Sequence, residues 1–202
     1  MANAFMDTAL NAALSAIAAL LDLASLHNAF PSATGANEIT GGSYARQTIT
    51  WSAPASGALD SSNQPAFSVP AAATVAWIGY WDTSGPTWQG YSPNRQAGDP
   101  GPTKYVVDVA ADTIEAPAHG FVNDARITFF GGAAPGGLTE GVHYWVVNAT
   151  TDDLQVSATQ GGAAINLTSQ GDVDTRCSRI RIETFAADGT FTLTDADVDF
   201  LT

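Results

Sequence analysis

Between Asn3 and Leu21 the apolar residues Met6, Leu10, Leu14, Ile17 and Leu21 recur at spacings of 4, 4, 3 and 4, with Asp7, Thr8, Asn11 and Ser15 set between them. A stripe of that period is one face of an α-helix. Two destinations are open to it. It can lie on the sheet of its own domain, or it can line an oligomer axis, where the flanking alanines would let backbones approach closely. Met6, Leu10, Leu14 and Ile17 are therefore the oligomer-interface candidates.

Beyond the helix the period falls to two. LDLASLH (21–27) alternates weakly, and YARQTITW (44–51) sets Tyr44, Arg46, Thr48 and Thr50 against Ala45, Gln47, Ile49 and Trp51. AFSVP and TVAWIGYWD add two further strands. Residues 83–104 carry four prolines and four glycines, which read as a long loop or a domain boundary. After them YVVDVAADTIEA, HGFVNDARITFFGG, GVHYWVVNATTDDLQVSAT and GAAINLTS form short strands with turn signals about every ten residues, the pattern of a small sandwich or barrel. In CSRIRIETFAADGTFTLTDADVDFLT an ADG turn separates two alternating runs, predicting a closing β-hairpin. The tetrapeptide GGAA occurs twice, at 131 and 161, which is turn chemistry and too little for a repeat architecture.

Composition agrees with an all-β chain. Of 202 residues 45% are apolar, enough for a core, while only 13% are charged and 19 are glycine. The balance of 20 acidic to 7 basic residues gives a formal charge of −13, which repels phosphate backbones and anionic lipid surfaces and argues against nucleic-acid partners. The apolar run AALSAIAALL is short, alanine-rich and flanked by Asp7 and Asp22, so membrane insertion is not expected. The first basic residue is Arg46, so no secretory signal is expected either, and synthesis in the cytosol is the natural reading. The single cysteine, Cys177, rules out an intrachain disulfide and reads as a structural thiol.

Candidate chemistry is sparse. DADVD (Asp195, Asp197, Asp199) resembles the start of a calcium loop, but Phe200 stands where the loop needs glycine and no twelfth-position Glu follows. A strand with its acids toward solvent fits better. Asp152 and Asp153 read as a turn. His27, His119 and His143 lie far apart without metal-ligand spacing, and each reads as structural or surface. No nucleophile elbow, Walker loop or dinucleotide fingerprint is present. Neither a catalytic set, a cofactor nor a metal is expected. Among the aromatics of WIGYWDTSGPTWQGY, Trp77 and Trp81 share a strand face and belong in a core, whereas Trp88 and Tyr91, in the Pro/Gly segment, are the candidates for glycan contact.

The order of segments carries a resemblance. SLH before a loop, TGANE, GGSYAR, the run to Trp51, FSVP and the IGYWD strand together resemble a family of tail fibre or minor tail proteins of tailed bacteriophages, common among phages of actinobacteria. FTLTDADVDF resembles that family's last strand. The middle, from DTIEAPAHGF to AINLTS, resembles a small β module of many phage virion proteins. Two departures stand out: an acidic, proline-bearing turn often follows SLH in relatives where this chain reads NAFPSATG, and many relatives lack the middle module.

The resemblance implies a mainly β protein with an N-terminal helix and a β-sandwich or jelly-roll-like domain, residues 1–103 and 177–202, into which a second small β module, residues 104–176, is inserted. It implies a non-enzymatic structural component of the virion, made in the host cytoplasm and built as a homo-oligomer, a trimer first. Its partners would be other phage tail or head proteins, with host cell-envelope glycans as a further candidate. A head decoration or collar protein, and a carbohydrate-binding module or weak glycan hydrolase using Trp88 and Tyr91, are the alternatives.

Overall fold

The computed structural model describes residues 4–84, 86–194 and 196–199, without the side chains of residues 4–6, 197 and 199. The fold is mainly β with one N-terminal helix and several antiparallel sheets, consistent with a β-sandwich. The chain forms two compact units, Met1–Ala97 with Ile182–Thr202, and Gly98–Arg181.

In the first unit, helix α1 runs over Ala4–Ala18, with Asp7 in its first turn where the helix dipole favours an acid. It closes through tighter bonds from Leu20 N to the Ile17 carbonyl and Leu21 N to the Ala18 carbonyl. Seven strands follow: β1 (Leu23–His27), β2 (Gln47–Thr48), β3 (Ala58–Asp60), β4 (Ala66–Val69), β5 (Thr74–Val75), β6 (Trp77–Asp82) and β7 (Thr87–Pro93). An antiparallel sheet takes the order β2-β1-β6-β7. One face of it, through Ala24, Leu26, Ile78 and Tyr80, packs on Phe67, Val69, Val75, Phe191 and Leu193.

Two expectations are corrected here. YARQTITW contributes only the two-residue β2, because a side chain replaces the ladder: Asn63 donates from Nδ2 to the Thr48 carbonyl and accepts Thr50 N at Oδ1. Of the two readings of the Pro/Gly-dense segment, the division between the compact units does fall within it, after Ala97, but its first part is not a loop: it holds β7, a seven-residue strand bonded along β6 with a bulge at Tyr80/Trp81. Of its four prolines, Pro86 precedes the strand and Pro93 takes its last position, where no ladder bond is lost, while Pro100 and Pro102 lie beyond it.

The second unit is an antiparallel sheet of β8 (Val106–Asp108), β9 (Thr113–Glu115), β10 (Arg126–Phe130), β11 (His143–Val147), β12 (Asp153–Ser157) and β13 (Arg176–Arg179), in the order β13-β10-β11-β12-β9-β8. Its core is Ile114, Phe121, Ile127, Phe129, Tyr144, Val146, Leu154, Val156 and Leu167 around the fully buried Cys177. GAAINLTS forms no strand beyond a single bridge between Gly136 and Ser169; its backbone is met piecemeal, as where Asp112 accepts Leu167 N. At the β8 edge, Gln170 accepts Val107 N at 2.7 Å and donates to the Tyr105 carbonyl, so a side-chain amide occupies the positions a further strand would take. The ends of the unit are held together by an antiparallel bridge between Thr103 and Cys177 and by the fork of Arg181 on Asp99.

The chain then returns to the first unit as β14 (Glu183–Thr184), β15 (Gly189–Thr192) and β16 (Asp197–Asp199), paired with β5, β4 and β3 in turn. The closing hairpin is therefore absent among the described residues. The two runs pair with earlier strands because that register sets Phe191 directly opposite Phe67, while Asp188 accepts Ala71 N at 2.8 Å. Folding back on themselves would leave Phe67 and Val69 uncovered.

Candidate functional site

The first unit's sheet is covered on its second face as well, by the loop from Asn28 to Tyr44. Beneath that loop lies a connected polar chain. Trp81 Nε1 donates to Ser25 Oγ at 2.8 Å, Ser25 Oγ lies 2.8 Å from His27 Nε2, and His27 Nδ1 lies 2.7 Å from the Ala36 carbonyl. One proton arrangement satisfies every group: the hydroxyl donates to Nε2, and Nδ1–H donates to the carbonyl. His27 is then neutral, and burial, the dominant influence, pushes its pKa below the ordinary range against the opposing pull of the Ala36 carbonyl and Glu38.

Around this chain the aromatic rings pack edge to face. Trp88 meets Trp81 at 5.0 Å between centroids and His27 at 5.5 Å, and Phe30 meets Trp77 and Tyr91. Two glycines make room for Trp88. A Cβ on Gly79 would stand 2.6 Å from Trp88 Cζ3, and one on Gly35 2.7 Å from Cε3. Gly35 also takes a left-handed φ of 71°, which ends the 3₁₀ turn Ser32–Thr34. The loop is fastened at its far end by Arg46, whose Nε and Nη2 fork onto Glu38 at 2.9 and 2.7 Å while its guanidinium lies over Trp81, 3.4 Å from the ring centroid. Tyr44 accepts Leu26 N and donates to Glu38, and burial raises its pKa.

A serine hydroxyl against an imidazole that is oriented by a third group is the geometry of an activated nucleophile. Here Ser25 and His27 are both 0% exposed, and the hydroxyl already receives the Trp81 N–H. The chemistry that follows is structural: a buried network that satisfies itself and fixes the covering loop. Two open clefts of the unit lie away from Ser25 and His27, one of about 320 Å³ along Ser43, Ser68, Asp188 and Thr190 and one of about 270 Å³ along Asn28, Thr40 and Pro70 that reaches the network only at Glu38.

The residues singled out from sequence fall as follows. Leu14 is fully buried within the chain, Ile17 packs against the first unit's core, and Leu10 is half-buried near Gly57, whose N–H is taken by Asn11. The Met6 side chain lies outside the described residues. Ala9, Ala12, Ala13 and Ala16 lie on the exposed side of α1, and the exposed Ala19 and Leu20, the latter at 43%, follow its end. Trp88 and Tyr91 are half-buried, stacked on one another at 6.3 Å, and engaged with Trp81, His27 and Phe30.

Trp77 and Trp81 are buried. His119 is buried, accepting Phe121 N, and His143 is exposed. Asp152 begins no site but accepts Ala118 N. Asp195 and Phe200 lie outside the described residues, and the backbone of 197–199 is the strand β16. Burial pushes the Cys177 thiol up to about 12. Among the described residues no group of three His, Cys, Asp or Glu is placed to hold a metal, and no helix is long and apolar enough to cross a membrane.

Residues 1–91 match the family described as podophage GP4 fiber I protein gp80. No curated protein and no solved structure matches the chain. The match supports a structural virion protein of the phage-fibre kind. It spans the whole network, from Ser25 through Ala36, Glu38 and Arg46 to Trp81 and Trp88, so the motifs SLH, TGANE, GGSYAR and IGYWD are parts of one packed device.

Proposed function

We propose that the chain is a structural component of the tail of a tailed phage, a fibre or minor tail protein, in which the first unit joins the particle and residues 98–181 are an inserted module available to the host surface. What supports this reading is where the family match falls. Residues 1–91 carry α1, β1 to β6, most of β7 and the network of the first unit, whose returning strands β14 to β16 lie beyond the match together with the whole second unit. A scaffold common to a fibre family suits the common task of holding a subunit on the particle. A unit set between its strands, with both ends clasped by Asp99 and Arg181, suits a task that differs from phage to phage.

Self-association belongs to the same proposal, with three copies favoured. Leu14 and Ile17 are taken up within the chain and Leu10 is half-buried against Gly57, so contacts between copies would use the outer side of α1, with Ala9, Ala12, Ala13 and Ala16. The test is immunogold labelling of purified particles with an antibody to this chain. Gold on the tail is expected; gold confined to the head or collar overturns the tail assignment. Light scattering on the purified protein should return three times 20.8 kDa, and a monomer mass would refute the solution trimer.

A further inference from the structure

The cleft of about 320 Å³ in the first unit is walled from three places in the chain: Ser43 of the covering loop, Ser68 and Pro70 at the end of β4, and Asp188 and Thr190 at the start of β15. Along β4 exposed and buried positions alternate, so Ser68 faces outward while Phe67 and Val69 enter the core, and the register sets Thr190 directly opposite Ser68. Facing residues of an antiparallel pair stand about 5 Å apart at Cβ, so the two hydroxyls are neighbours on one surface. Asp188 lies two positions before Thr190, and Ala71 N donates to its Oδ1 at 2.8 Å. That bond fixes the carboxylate and leaves Oδ2 without a partner among the described residues. The hydroxyls of the exposed Ser43, Ser68 and Thr190 also take no partner among the described residues.

The lining holds no cation, so an anion would meet only the like charge of Asp188. It offers little to an apolar ligand, because Val69 is 1% exposed and Pro70 is the one large apolar surface. A lone carboxylate is too few for a hard cation, which takes about six or more oxygen ligands. A neutral polyol suits it. A carboxylate already held by a backbone N–H accepts hydroxyl donors in charge-assisted bonds, and serine and threonine hydroxyls either donate or accept. Pro70 also lines the second cleft, of about 270 Å³, along which Asn28 and Thr40 are exposed. The two clefts therefore adjoin across one proline, which gives room for successive units of a chain.

We propose that the two clefts form one trough that binds a neutral oligosaccharide. Asp188 takes ring hydroxyls in the first compartment with Ser43, Ser68 and Thr190 beside it, and Asn28 and Thr40 serve the next sugar across Pro70. The trough adds a saccharide contact to the first unit, and it is independent of whether the chain sits on the tail or the head of the particle.

The test titrates the full chain with maltotriose, cellotriose and the trimer of N-acetylglucosamine, and with the trimer of galacturonic acid and butylamine as charged controls, followed by calorimetry and by NMR of the backbone amides. At least one neutral trimer should bind at millimolar concentration or below and move the amides of residues 40–43, 68–73 and 188–190, while neither control should. Asp188→Asn keeps an acceptor for Ala71 N but removes the charge, and it should weaken binding about tenfold, as the loss of a charge-assisted hydrogen bond does. Ser68→Ala combined with Thr190→Val, at exposed positions, should weaken it to a similar degree. Should Asp188→Asn lose its native circular dichroism, the double variant and the amide shifts of the unaltered protein carry the test. No binding by any of the three neutral trimers, equal binding by butylamine, shifts lying outside the trough, or unchanged affinity in a folded variant overturns the site.

Discussion

Replacing Gly79 by alanine probes the packed face of the first unit with one methyl group. The new Cβ would stand 2.5 Å from Ser25 Oγ, 2.6 Å from Trp88 Cζ3, and closer still to His27 Nε2. Contacts under 3.0 Å are not formed by real Cβ atoms, so something must move. Ser25 and His27 are fully buried and tied to Trp81 and Ala36, and Trp88 is wedged against Gly35, so none moves freely. Overpacking of this kind costs about 1–3 kcal/mol, and separating Ser25 from His27 adds about 1 kcal/mol. A total near 3 kcal/mol, with a urea m-value of about 2 kcal/mol per M, lowers the unfolding midpoint by roughly 1.5 M. Tryptophan emission is the right probe, since Trp51, Trp77, Trp81 and Trp88 lie in this unit and only Trp145 in the other. A midpoint within about 0.3 M of the parent's, where surface substitutions fall, would refute the packing described for Trp88 over Gly79.

Ser25→Ala removes the hydroxyl shared by Trp81 and His27, leaving a buried donor and a buried acceptor unmet; a loss of about 2–4 kcal/mol is expected in the same urea titration. Stability should fall on acidification below about pH 6.5, because burial lowers the His27 pKa and the unfolded chain then binds the proton that the folded chain refuses. The slope approaches about 1.4 kcal/mol per pH unit between the two pKa values and falls back toward zero once pH passes below the folded one, where both states carry the proton, and His27→Gln should flatten it in melting curves from pH 7 to 5. Cys177 is buried, with its thiol pKa pushed up to about 12, so a maleimide or aromatic disulfide reagent should leave it unmodified in native buffer and label it fully in urea. Arg181→Gln leaves the largely buried Asp99 carboxylate without its fork. Because Arg181 is itself 40% exposed, the expected cost is about 1–2 kcal/mol, read as earlier proteolysis between Ala97 and Thr103.

Much of this protein was determined within short windows of its sequence. The 4, 4, 3, 4 spacing from Met6 to Leu21 specifies the helix, because a period near 3.6 places those side chains on one face whatever lies beside it. Alternation likewise marks β4, β11 and β12, short apolar runs mark β1, β6 and β10, and the size of the Trp77 and Trp81 rings foretold their burial. What tertiary structure alone decided is which strand meets which. The runs at 183–199 pattern equally well as a hairpin or as partners for strands more than a hundred positions earlier, and only the need to cover Phe67 and Val69 chooses between them.

The β7 strand was hidden for a related reason. Counting prolines and glycines registers chain flexibility, whereas β7 is held by the ladder of β6, a nonlocal partner. The network is the clearest case. Ser25, Ala36, Gly79 and Trp81 stand far apart in the chain, and the sequence marks them only as pieces of motifs. Their use, with glycine absent of a Cβ so that an indole can lie across the sheet, exists only once the strands and the covering loop have come together.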